Sequence, residues 1–183
     1  MKNRVFFLIC LWLFSASAYT QTCNNNIIPT TPTVRFINNQ DGTVKDSLTK
    51  LIWKRCPEGK TLSDNATPDD LADDNCNGSV VEISWQEALQ LALNLNTNGG
   101  YANSNSWRLP NIKELASIIE LQCYAPAFNE VIFPSMVGPN AYWSSSHDSS
   151  NGEKAWVLHT WYGSDSKEYK VSYPAGVILV RDE

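Results

Sequence analysis

Apolar positions follow a helical period in the middle of the chain and a two-residue period on either side of it. Trp85, Ala88, Leu89, Ala92 and Leu95 fall on one face at helical spacing. Ser84 and Glu87 stand three apart in front of them as a capping box, which predicts a helix from there to about Asn96, closed by Gly99-Gly100. A second helical run follows the extended Trp107-Arg108-Leu109-Pro110. Asn111 and Glu114 form an Asn version of the same box, and Pro110 disfavours helix at Leu109. The pattern predicts a helix over Ile112 to Leu121 with Leu115, Ile118 and Ile119 facing inward. Upstream, Arg35 to Ile37, Thr43 to Asp46 and Leu51 to Arg55 read as strands around an Asp41-Gly42 turn. Downstream, strands are expected from Tyr142, over Trp156 to Trp161, over Tyr169 to Tyr173 and over Val177 to Arg181. In the second of these, Trp156, Leu158 and Thr160 alternate with Val157, His159 and Trp161. Asn24 to Thr33 reads as an extended arm, and the polar, acidic stretch Pro57 to Val81 as a long loop.

The first residues change the cellular setting. Lys2 and Arg4 precede an apolar stretch, Val5 to Phe14, and Ala16-Ser17-Ala18 offers a cleavage site, so 1–18 is expected to be a secretion signal. The apolar stretch is about half the ~20 residues a spanning helix needs. The expected organisation is a signal over 1–18, an extended arm over 19–33 and one domain over 34–183. Cys23, Cys56, Cys76 and Cys123 lie beyond the signal; an even set in an exported chain predicts two disulfides, with three pairings open. Cys56–Cys76 and Cys23–Cys123 are favoured over a metal site, because no C-x-x-C pair occurs. The net charge of −5 and the lack of a basic stripe argue against nucleic acid, and against sulfated glycans as a default ligand.

Candidate chemistry is sparse. Ser144-Ser145-Ser146-His147-Asp148 holds the residue types of a catalytic triad, but triads are defined by geometry, and a strand end with a solvated turn is the preferred reading. His159 is read as a partly buried sheet residue that could line a pocket. Asp73-Asp74-Asn75-Cys76-Asn77-Gly78 matches the opening of a calcium loop, yet its twelfth position is Ser84 rather than a bidentate glutamate. A looser calcium site would use Asp69, Asp70, Asp73, Asn75 and Asn77; the alternative is an acidic, solvated insertion. Arg108 and Arg181, beside tryptophans, are expected to tie structure together rather than bind ligand.

Taken in order, Asp41-Gly42-Thr43-Val44-Lys45-Asp46, Leu51 to Cys56, Trp107-Arg108-Leu109-Pro110, Ala141-Tyr142-Trp143-Ser144, Ala155-Trp156-Val157 and Val177 to Arg181 resemble the Lcl C-terminal domain family, from about Arg35 to Arg181. The Trp-Arg-Leu-Pro element is also similar to that of formylglycine-generating enzymes and of the variable receptors of diversity-generating retroelements. The resemblance implies an α+β, C-type-lectin-like fold, with two helices packed on antiparallel sheets. It makes Pro57 to Val81 look like an insertion. Two signatures of calcium-dependent sugar binding are missing: Pro139-Asn140 follows Gly138 rather than a carboxylate or amide residue, and no Trp-Asn-Asp occurs. No cysteine lies beyond Cys123, so the thiol chemistry of the formylglycine enzymes does not carry over. On such a fold the loops between late strands display ligand contacts, which points to Trp161, Tyr162, Tyr169 and His147. The expected function is non-catalytic recognition of a glycan or a protein at the cell surface or in the periplasm. A structural or accessory subunit of a surface or pilus assembly is the alternative, and an enzyme on the formylglycine-generating scaffold a third.

Overall fold

A computed structural model describes residues 20–63, 70–136 and 138–183; the expected signal segment and Asp69 lie outside them. The strands are β1 (Thr22–Cys23), β2 (Phe36–Asn38), β3 (Thr43–Asp46), β4 (Leu51–Lys54), β5 (Lys60–Ser63), β6 (Asn75–Gly78), β7 (Cys123–Tyr124), β8 (Ala141–His147), β9 (Lys154–His159), β10 (Asp165–Tyr169) and β11 (Val180–Asp182). The helices are α1 (Trp85–Thr97) and α2 (Ile112–Ala116). Two sheets carry the architecture, in strand orders β11-β4-β3-β2 and β10-β9-β8; β1-β7 and β5-β6 form separate ribbons. Every named strand pair is antiparallel. The molecule is thus a mixed α+β domain, with small antiparallel sheets and two disulfides.

The two-residue period explains why there are two cores. On β4, Leu51 and Trp53 enter one cluster while Ile52 enters the other. Tyr142 and Leu158 join the first cluster, and Ala141, Trp143, Ala155 and Val157 the second. The inner strands of the two sheets are therefore covered on both faces, and each face needs its own cover. Leu115, Ile118, Ile119 and the segment Phe128 to Met136 cover the first; Ala88 and Ala92 of α1, with Trp107 and Leu109, cover the second. The segment 175–180 joins the sheets: Tyr142 bridges Gly176, and Val180 pairs with both Trp53 and Arg108.

Both capping boxes form. The Ser84 hydroxyl accepts from Glu87 N–H, and the Asn111 side chain accepts from Lys113 N–H and Glu114 N–H, with each glutamate reaching back to its cap. Three expectations need correction. Leu89 sits at the rim of α1, and only Ala88 and Ala92 of that helix are buried. The second helix stops at Ala116, because Glu120 N–H donates to Ala127 and Ile119 bridges Phe128, tying the next turn to another segment. Leu115, Ile118 and Ile119 are nonetheless buried. The strand placed over Tyr169 to Tyr173 lies earlier, at Asp165–Tyr169; after it the Tyr173 amide donates to the Tyr169 carbonyl in a turn.

The acidic stretch also differs from a loop. Lys60–Ser63 pairs with Asn75–Gly78, and Cys56–Cys76 fastens this ribbon to the end of β4. Cys23–Cys123 joins β1 to β7 and holds the N-terminal arm. Arg55 is almost fully buried below the ribbon. Its guanidinium pairs with Asp74 and donates to the carbonyls of Leu71, Val131 and Ile132. Among the described residues no helix is long and apolar enough to cross a membrane, and two disulfides accord with export to an oxidising compartment.

Candidate functional site

The turn between β9 and β10 builds a cleft. His159 N–H donates to Ser164 at 2.8 Å and Gly163 N–H to His159 at 3.0 Å, closing the turn. Gly163 has a φ of +67°, and a Cβ there would stand 2.6 Å from Ile119 Cγ2, so the turn lies tight on the first core. Thr160 is buried beneath it, its amide on Asn140 O and its hydroxyl on Pro139 O. Ala125 N–H and Ala127 N–H donate to the carbonyls of Trp161 and Thr160, fixing the other side. The Tyr162 ring stacks on Tyr124 at 6.3 Å between centroids.

The resulting cleft has a volume of about 350 Å³ and is lined by Asn140, His159, Trp161, Tyr162, Ser164 and Tyr173. Tyr162 is 72% exposed and forms an outer wall. Tyr173 forms the inner one, its ring edge-on to the buried Trp143 at 6.0 Å. Behind His159 runs a polar chain: Nε2 lies 2.9 Å from Ser166 Oγ, which donates to Glu168 Oε1 at 2.9 Å. Burial pushes the Tyr173 phenol above its ordinary value, and the carboxylates of Glu168 and Glu82 push it further. Aromatic walls with convergent polar groups suit a ring-shaped polar ligand, which can stack and hydrogen-bond at once.

The four expected ligand contacts are not one site. Trp161 and Tyr162 share this cleft. Tyr169 sits at the opposite end of β10, where it pairs with Lys154, about 17 Å of strand from the His159 end. Its ring already lies under the Lys154 ammonium at 4.4 Å. His147 ends β8, exposed, opposite Ala155. Ser144 Oγ donates to Trp156 O, Ser146 Oγ accepts from Ile112 N–H, and Asp148 takes Ser150 and Lys167. Those serines and that aspartate are engaged elsewhere and do not assemble a triad with His147. Sequence reasoning missed Asn140, Ser164 and Tyr173. Tyr173 lay in an expected strand, and only the turn that replaces the strand brings it to the cleft.

The calcium reading fits the residues poorly. Asn75, Cys76 and Asn77 are strand residues paired with Ser63, Leu62 and Thr61, so the chain is extended where a calcium loop would wrap. The Asp74 carboxylate is paired with Arg55, Asp70 accepts from Ala72 N–H, and Asn75 Oδ1 accepts from Ser135. Among the described residues no group of three or more His, Cys, Asp or Glu side chains is placed to hold a metal ion.

The two arginines serve structure. Arg108 donates to both oxygens of Glu114 at 2.8 and 2.9 Å and to Asp182 at 2.9 Å, joining the start of α2 to β11. Arg181 lies over the Trp107 ring at 5.6 Å. No curated protein matches the chain. The sequence profile described as the Lcl C-terminal domain matches residues 42–181, which take in both helices, every residue of the cleft and all of both sheets but β2 and the last residue of β11, and the chain belongs to that family.

Proposed function

We propose that this protein is an exported, non-catalytic recognition domain of C-type-lectin-like design, working at the cell surface or in the periplasm, and that its ligand is a glycan held in the Tyr162–Tyr173 cleft. One observation carries the reading: an aromatic-walled cleft set on a turn that hydrogen bonds and core packing hold from three sides. Such a site is largely formed before the ligand arrives, so little ordering entropy opposes binding. The cleft also occupies a loop between late strands, where lectin-like folds present their contacts. All four described cysteines are in disulfides, so no free thiol among the described residues supports formylglycine-type chemistry.

A glycan array with purified protein, run with calcium and again with chelator, tests the reading. Binding that survives chelator and is lost in Tyr162→Ala is the expected result. Binding lost with chelator would move the site to a metal, and a blank array with folded protein would end the glycan reading. A second reading, an accessory subunit of a surface assembly, is favoured by the edge strand β2, around which Val34, Ile37 and Leu48 are 91%, 51% and 72% exposed. It predicts a stable protein partner whose docking is lost in Ile37→Lys while glycan binding is retained.

A further inference from the structure

Elsewhere in this molecule, aromatic faces are met by the chain's own cations. The ammonium groups of Lys154, Lys167 and Lys170 lie over the rings of Tyr169, Trp156 and Trp85 at 4.4, 4.9 and 4.4 Å. The first two pairs alternate along one face of β9 and β10, and Lys167 is also paired with Asp148. The opposite face of the same two strands is built differently. His159 and Ser166 are there, with Glu168 beyond them, and the cleft that His159 lines has no lysine or arginine among its lining residues. An aromatic wall with a carboxylate behind it favours positive charge, since the ring face and the anion attract a cation together.

We propose that the cleft selects a glycan carrying a free, protonated amino sugar: the pyranose ring stacks on Tyr162 and the ammonium lies toward Tyr173 and Glu168. This inference rests on the glycan reading above and narrows it. The geometry supports it in three ways. Ser166 donates its proton to Glu168 Oε1 and so holds the carboxylate in place on the cleft side of the sheet. Tyr173 is fixed against Trp143, so its ring is a standing platform. Burial raises the Tyr173 phenol first and the Glu168 and Glu82 carboxylates raise it further, which accords with a negative field at the cleft wall. Asn140 and Ser164 supply neutral donors and acceptors for the sugar hydroxyls. An N-acetylated sugar would offer the same ring but no charge.

The test compares a β-1,4-linked glucosamine disaccharide with its di-N-acetylated form, by calorimetric titration of the purified protein at about pH 6, where an amine of ordinary basicity is charged. The free amine should bind about tenfold more tightly than the acetylated sugar. Glu168→Gln should shrink that preference to under about threefold, the free amine losing more affinity than the acetylated form. Tyr162→Ala should weaken both sugars. Glu183→Gln, which removes an equal charge just beyond β11, should leave the preference intact. Equal binding of the two sugars, or equal losses from Glu168→Gln and Glu183→Gln, would overturn the amine inference and leave the glycan reading standing. Binding of neither sugar would overturn the inference too; a glycan array that is still positive through Tyr162 would then preserve the broader reading, and a blank one would end both. Thermal melts of each variant separate lost binding from lost folding.

Discussion

Arg55 shows at the scale of one residue how much a charge can be asked to hold. In sequence it is the last residue of an apolar strand; in the fold it is almost fully buried and gathers Asp74 and three carbonyls from separate segments. Replacing one partner of a buried pair strands the other, which costs about 3–5 kcal/mol. Arg55→Met should therefore destabilise the protein by about that amount in urea unfolding, and Arg55→Met with Asp74→Leu by clearly less. If the double variant is as unstable as the single one, the carbonyl contacts rather than the ion pair carry the cost. Gly163 makes the complementary point. The run Gly163-Ser164-Asp165-Ser166 announces a turn, but not that a positive φ and the contact a Cβ would make with Ile119 leave little room for another residue at Gly163. Arg108 and Arg181 were legible as structural, because a guanidinium beside tryptophan and acidic residues has partners at hand. Tyr173 was not, since its role depends on a turn whose driving contacts are remote.

Among the elements, local signals were read most securely where backbone chemistry is decided within four residues. The two capping boxes and the Asp41-Gly42 turn, with Gly42 at a φ of +84°, are of that kind. The length of α2 was not, because tertiary bonds around Glu120 and Ile119 ended a helix that its apolar period would have continued. The β5–β6 ribbon is the converse case. Its residues are mostly polar, and an isolated two-stranded ribbon is marginal in water. The Cys56–Cys76 bridge and the Arg55–Asp74 pair hold it in place. Replacing both Cys56 and Cys76 by Ala should strip amide-exchange protection from 60–63 and 75–78 while β3, β4 and α1 keep theirs. Uniform loss of protection across the molecule would show instead that the ribbon is part of the global folding unit.

Carboxylates with donors both close by and on other segments set the whole molecule's response to acid. Asp148 is held at about 2, chiefly by the Lys167 ammonium and then by Ser150. Burial pushes Asp46 up, but donors from Arg35, Thr49 and Leu48 outweigh it and leave the group below its ordinary value. Burial likewise pushes Glu120 up, and the amides of Thr30, Gln122 and Thr31 bring it below its ordinary value, pinning the N-terminal arm. Each folded-state value is depressed, so each contribution is present above the unfolded carboxylate range near pH 4 and is lost as pH falls through the folded values. Glu130, raised by burial, pulls weakly the other way. The melting temperature should fall steeply between about pH 4 and 2, and Asp148→Asn should flatten that fall. An unchanged slope in the variant would remove Asp148 from the account. By itself the sequence determined the α+β class, the helix starts, the first hairpin and the even cysteine set, because caps, turns and periodicity act over a few residues. Only the tertiary structure decided where α2 ends, that the acidic stretch is a ribbon, and that Trp161, Tyr162 and Tyr173 share a cleft while Tyr169 and His147 lie apart. Those outcomes depend on hydrogen bonds and packing between segments tens of residues apart, which no local pattern encodes.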